Sequence, residues 1–171
     1  MLLAGLQRRY QLIRQQNEKN YRLTQLTTKL SDLQRYASSI GDGNISMSDM
    51  MNMPSSIFGR AMTFMAYSHN IALMGAQQNM AMMTPQINLQ MQQIKDANQQ
   101  QMYQKWIYNN LYQQALQKAA KQEEKLLNQQ EQEIQKEKAQ VETELKMIQA
   151  ELESLTRHTD EAASQFKPNY T

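Results

Sequence analysis

The sequence predicts an all-α protein, an extended helical hairpin or coiled coil with one very long C-terminal helix and a Met-rich central helical segment. Three observations predict this fold class. Residues that fit a pleated, half-buried surface are nearly absent: Val occurs once, at Val141, and Phe three times. Gln is the commonest residue, at 27, followed by Leu, Met, Ala, Lys and Glu, all of which lose little side-chain freedom in a helix. Only five Gly and three Pro are available to interrupt one.

The first element is a helix over about residues 2 to 39, within an N-terminal basic coiled-coil segment 1–40. Its second half keeps coiled-coil spacing, because Leu23, Leu26, Leu30, Leu33, Ala37 and Ile40 step alternately by three and four residues. In its first half Leu6, Tyr10 and Ile13 are out of phase with that register. Asn17 and Asn20 stand where their line would continue, which predicts a stutter or a change of partner.

Segment 41–56 follows as a turn and a short helix. Gly41, Asp42, Gly43 and Asn44 predict a chain reversal. Ser46, with Asp49 three residues on, has capping-box spacing for a Met-rich turn of helix that Pro54 ends, and Ser55 or Ser56 caps the next. The stretch from Asp42 to Asp49 also matches the second half of a calcium-binding EF-hand loop. Ser38 and Ile40 occupy the first-half ligand positions, however, and an ordinary turn is the better reading.

The third element, 57–84, is a Met- and Ala-rich helix whose one formal charge is Arg60. Eleven of the 14 Met lie between residues 47 and 91, so the bias belongs to one surface. Thr84 and Pro85 have the character of an N-cap and first helical position, predicting a break there and a new helix over 85–160. Free of Gly and Pro from Gln86 to Arg157, that helix would run roughly 110 Å at ~1.5 Å per residue. The polar tract Asn98 to Gln101 is a point where it could fray. Its later seam, Leu127, Ile134, Val141, Leu145, Ile148, Leu152 and Leu155, has Glu131 and Lys138 at the intervening heptad positions. Residues 161–171 break the pattern and are expected to be a flexible tail.

Charge is unevenly divided. Residues 1 to 40 carry seven Lys or Arg against two acids, whereas residues 95 to 171 carry ten against twelve, so the two ends suit an antiparallel pairing. The absence of Cys removes disulfides, thiolate nucleophiles and thiolate metal sites together. His69 and His158 each lack the second His or paired acids that a metal site needs, so neither metal nor cofactor is expected. No phosphate-binding Gly loop or nucleophile elbow is present, and the expectation is a non-enzymatic protein without catalytic residues. The N-terminal Leu run meets Gln7 and Arg8 before it reaches the length of a secretory signal, which points to the cytoplasm or export by a signal-less route.

Self-association is the expected function, in a homo-oligomer or filament held by coiled coils and Met-rich contacts. The interface residues would be Leu23, Leu26, Leu30 and Leu33 on the first helix, with Met62, Met65 and Met74 in the central segment. On the last helix they would be Tyr103, Trp106, Ile107 and Leu111, then Ile134, Val141, Leu145, Ile148 and Leu152. The aromatic run covers more than one helical face, because 103, 107 and 111 align while 108 and 112 lie one residue round. Two alternatives are a membrane-active translocator that inserts 57–83, and an adaptor, scaffold or chaperone that holds other helical proteins. Ser68, His69, Asn70 and Gln77 disfavour insertion, and the spread of basic residues round the first helix disfavours nucleic acid. In shape alone the layout is similar to small helical secretion-filament subunits and bacteriophage scaffolding proteins.

Overall fold

A computed structural model of the chain describes residues 2–41 and 45–165. Four helices account for nearly all of them: α1 (Leu2–Ser39), α2 (Met47–Met51), α3 (Ser55–Met91) and α4 (Ala97–Gln165). Among the described residues there is no strand. Residues 42–44, where the chain reversal and the partial calcium-loop match were expected, and 166–171, most of the expected tail, lie outside the described residues.

The α2 start is as expected. Ser46 Oγ accepts from the Asp49 N–H at 3.1 Å, and the Asp49 carboxylate accepts from the Ser46 N–H at 3.3 Å, completing the capping box. The start of α3 differs from expectation. Pro54 itself is the N-cap and makes no side-chain cap bond, while its carbonyl accepts from the N–H groups of Ile57 and Phe58. Ser56 is drawn away, donating instead to Asp32 of α1 at 2.6 Å.

The break expected at Thr84 and Pro85 does not occur there. Helix α3 continues through Pro85 to Met91, and the turn comes at residues 92–96. Thr84 behaves as an interior residue, its hydroxyl donating to the Met80 carbonyl at 2.8 Å. Proline deprives the Ala81 carbonyl of its helical donor, a loss of about 3 kcal/mol in a helix interior. Both residues are exposed, so water can replace that donor, and continuing the helix buries Ile87 one half-turn on. The turn that does form is held by side chains. Asp96 caps α4 by accepting from the Asn98 N–H at 2.8 Å, and the Gln100 amide donates to the carbonyls of Met91 and Ile94 at 3.1 and 2.7 Å. The polar tract 98–101 is thus the first turn of α4.

The helices form two compact units, each served by parts of α1 and α4. One comprises the described residues up to Ser31 with those from Glu131 on; the other is the described part of Asp32–Gln130. In the first, α1 and α4 run antiparallel: Gly5 lies beside Thr159, Arg8 pairs with Glu151, Lys19 with Glu144 and Arg22 with Glu137. No stutter occurs on α1. Its inward line runs Leu12, Gln16, Lys19, Leu23, Leu26 and Leu30, alternating four and three residues throughout, with Leu12 and Leu26 fully buried. Polar Gln16 and Lys19 continue the seam where an apolar residue was sought, and Lys19 is accommodated by the Glu144 carboxylate 2.5 Å away.

In the second unit α3 and α4 form an antiparallel hairpin joined by the 92–96 turn. The end of α1 packs on the hairpin at one level, where Tyr36, Ile40, Ile57, Ala61, Phe64, Ala120 and Leu127 make a single core cluster. The Phe64 ring meets Tyr36 edge-on, centroids 6.5 Å apart.

Candidate functional site

The hairpin seam mixes large apolar residues with a run of small ones. Along α3 the buried positions are Ile57, Ala61, Phe64, Ser68, Ala72 and Ala76, spaced by three or four, with Ile87 further along. Opposite them α4 offers Leu116, Ala119, Ala120 and Leu127. The backbones are close: a methyl placed on Gly75 would lie 3.5 Å from the Ala115 Cβ. Buried Ser68 satisfies its hydroxyl within its own helix, donating to the Met65 carbonyl at 3.2 Å.

The helices approach closely beside Gly75, where the buried α3 positions Ser68, Ala72 and Ala76 are all small, and the larger residues along this stretch flank the seam in contact with water. Met62, Tyr67, Ile71, Met74 and Trp106 are all exposed, Met74 by 70% and Trp106 by 62%. Met65, Tyr103 and Leu111 are half-buried, and of the aromatic run only Ile107 is buried. On one side Tyr67 and Ile71 of α3 and Leu111 and Ala115 of α4 line a groove. It continues past Leu111 between Met83 and Ile87 on α3 and Tyr103 and Trp106 on α4. Trp106 stacks on Tyr103, whose hydroxyl donates to Gln90 across the hairpin. The other side carries Phe58, Met62 and His69, with His69 Nδ1 and the Tyr112 hydroxyl 2.7 Å apart.

Helix α1 ends level with the core cluster. The residues flanking α2, Ile45 and Met53, pack on that same cluster, so among the described residues of this unit the hairpin beyond it has two helices and no third, which leaves apolar surface on both sides.

The unit's polar centre is the lone charge of the Met-rich helix. Arg60 Nε donates to Glu123 Oε1 at 2.7 Å and Nη1 donates to Gln130 at 2.5 Å, while the guanidinium sits 5.3 Å from the centre of the Tyr36 ring. Tyr36 is fully buried and donates its hydroxyl to the same Glu123 oxygen at 3.2 Å. Burial, with the Glu123 carboxylate beside it, pushes the Tyr36 phenol well above its usual range. A raised folded-state value means that the stabilisation is complete below the ordinary tyrosine value of about 10 and is lost as pH rises beyond it. Chemical denaturation at a series of pH values should show stability falling above pH ~10, by up to about 1.4 kcal/mol per unit from this group. Tyr36→Phe should flatten that fall, and an unchanged slope would remove Tyr36 as its source.

The remaining residues expected at an interface, Leu33 apart, lie in the first unit. Leu26 and Val141 are buried; Leu23, Leu30, Ile134, Leu145, Ile148 and Leu152 are half-buried, as is Leu33, which packs against the core cluster of the second unit. Of the residues expected at an interface, those freely presented are therefore Met62 and Met74 on the flank of α3 and Trp106 in the aromatic run of α4. The Arg60 network and the Asp96 turn went unread in the sequence. An isolated charge in a neutral helix is a signal for the first, and an Asp before a Gln-rich helical run is a signal for the second.

No group of His, Cys, Asp or Glu among the described residues could hold a metal ion, and no helix there is long and apolar enough to cross a membrane. No family model, no curated protein and no solved structure matches the chain.

Proposed function

We propose that this chain is a non-enzymatic structural protein that assembles with copies of itself, as a homo-oligomer or filament, through Met-rich and coiled-coil contacts. The observation that carries this reading is the stretch of α3–α4 hairpin beyond the core cluster, apolar on both sides and covered within its unit by no third helix. Two such hairpins placed face to face form a four-helix arrangement, the usual way for a pair of helices to complete a core. Unbranched Met side chains along the flank of α3 can repack against a copy, and Trp106 has the size and position of an interface anchor.

Sedimentation of the purified chain over a concentration series tests the reading. The expected result is a discrete species larger than 20.0 kDa or a regular polymer. Emission from Trp106, the single tryptophan, should shift to the blue as that species forms. Trp106→Ala and Met74→Arg should each weaken association by roughly 30-fold, about 2 kcal/mol, without loss of helicity. Arg in place of Met147, an exposed residue of the other unit, should leave it unchanged. A monomer at every concentration would overturn self-assembly, and a defined complex with a different protein would replace it with the adaptor reading.

A further inference from the structure

The first half of α1 carries two apolar lines, and among the described residues only one of them is buried. The inward line, through Leu12, Leu23 and Leu26, faces α4. The second is made of Leu3, Leu6, Tyr10 and Ile13, all exposed, with Leu3 at 81% and Tyr10 at 72%. These four step by three, four and three residues, and Asn17 continues the series after a further four. At 3.6 residues per turn they occupy an arc of roughly 80° on the side of the helix away from the inward line. What reads in sequence as a stutter is a helix with two seams.

We propose that this outward line is a docking seam for a helix of another protein, one with an apolar heptad repeat flanked by Glu or Asp. Three features select that occupant. The spacing and narrow width are those of a coiled-coil seam, whereas a helix lying on a membrane presents a broader apolar face. Asn17 at a core position of the repeat is a register-setting device between helices and has no use against lipid. The flanks are basic and unsatisfied. Arg8, Lys19 and Arg22 are each held by a Glu of α4, but among the described residues no carboxylate pairs with Arg9 or Arg14, which stand on either side of the outward line. A parallel, in-register pairing of two copies along this line would set Arg9 of one against Arg14 of the other on both sides of the seam. Acidic flanks on the incoming helix turn that repulsion into attraction.

The test uses the full chain carrying Met74→Arg, so that any assembly through the α3–α4 hairpin is suppressed and its presence or absence does not affect the readout. Two labelled three-heptad peptides serve as probes, both with Leu at the core positions, one flanked by Glu and the other by Lys. Fluorescence anisotropy is expected to show the Glu-flanked peptide binding at least about tenfold more tightly than the Lys-flanked one, with an affinity that falls as salt rises. Leu6→Asp should abolish binding, and Arg9→Glu with Arg14→Glu should reverse the preference. Leu6 is half-exposed, so an unchanged circular dichroism spectrum of the Leu6→Asp chain separates lost binding from lost folding. The proposal is overturned if neither peptide binds, if both bind equally and regardless of Leu6, if the chain instead dimerises in a Leu6-dependent way, or if phosphatidylserine vesicles are bound through Leu6 while the peptides are not.

Discussion

Truncating Phe64 to Ala is expected to destabilise the protein by about 3–5 kcal/mol. The ring is 5% exposed and lies edge-on against a fully buried Tyr36, in a cluster otherwise filled by Ile40, Ile57, Ala61, Ala120 and Leu127. Three of its neighbours are rigid: two alanines on closely approaching helices and a tyrosine pinned by Glu123. The void can therefore close only in part, which places the cost at the upper end of the usual range for lost burial. Phe64→Leu keeps most of the volume and should cost less than about 1.5 kcal/mol. Urea denaturation followed by circular dichroism measures both, and a loss below about 1 kcal/mol for the Ala variant would mean that the ring does not close this core.

The second large effect is expected in the other unit. Leu26→Ala removes a 1% exposed side chain from the inward seam of α1 and should cost about 2–5 kcal/mol. Leu6→Ala makes the same chemical change on the same helix at a residue that faces water, and should stay within about 0.5 kcal/mol. Helix propensity cancels between them, since both replace Leu by Ala in a helix interior. The difference between the two variants thus isolates burial, and equal losses would show that the seam has been assigned to the wrong face. The three ion pairs beside this seam are a weaker support. Their side chains are between about a third and a half exposed, so each contributes of order 0–1 kcal/mol and their main effect is to fix which residues stand opposite one another.

The all-α class, the bounds of α1, the capping box at Ser46 and the seam from Leu127 to Leu155 were legible because each rests on a pattern local to its own segment. Half-buried or buried positions on α4 after Leu127 follow the predicted heptad, including polar Glu131 and Lys138. Errors arose where tertiary packing outweighs a local signal. Thr84 and Pro85 are a good helix start in isolation, but the hairpin seam extends to Ile87 and the helix continues with it. The turn at 92–96 has no Gly or Pro to announce it, because Asp96 and Gln100 supply with side chains what such residues usually supply with backbone freedom. Apolar residues alone predict a stutter on α1, whereas the inward seam admits Gln16 and Lys19, whose long stems can cover apolar surface while their polar ends reach water or a carboxylate. Of the candidate surface, the regional Met bias was visible. The reason for its exposure was not, since it lies in the close approach of Gly75 to Ala115 that only the packed hairpin reveals.

The side-chain latch at the 92–96 turn also bears on how far the polypeptide connection itself matters. Asp96 caps a helix that begins after it, and the Gln100 amide reaches back to the Ile94 carbonyl within the bend and to the Met91 carbonyl at the end of α3, so the bond to Met91 ties α4 to α3 without the peptide link between Gln93 and Ile94. A short loop contributes mainly closure entropy, a modest quantity beside the long seam from Ile57 to Ile87. Cut between 93 and 94, the chain is expected to give a pair of complementary fragments that recombine into the hairpin, so that a reporter divided across that point would light up only when the two halves meet.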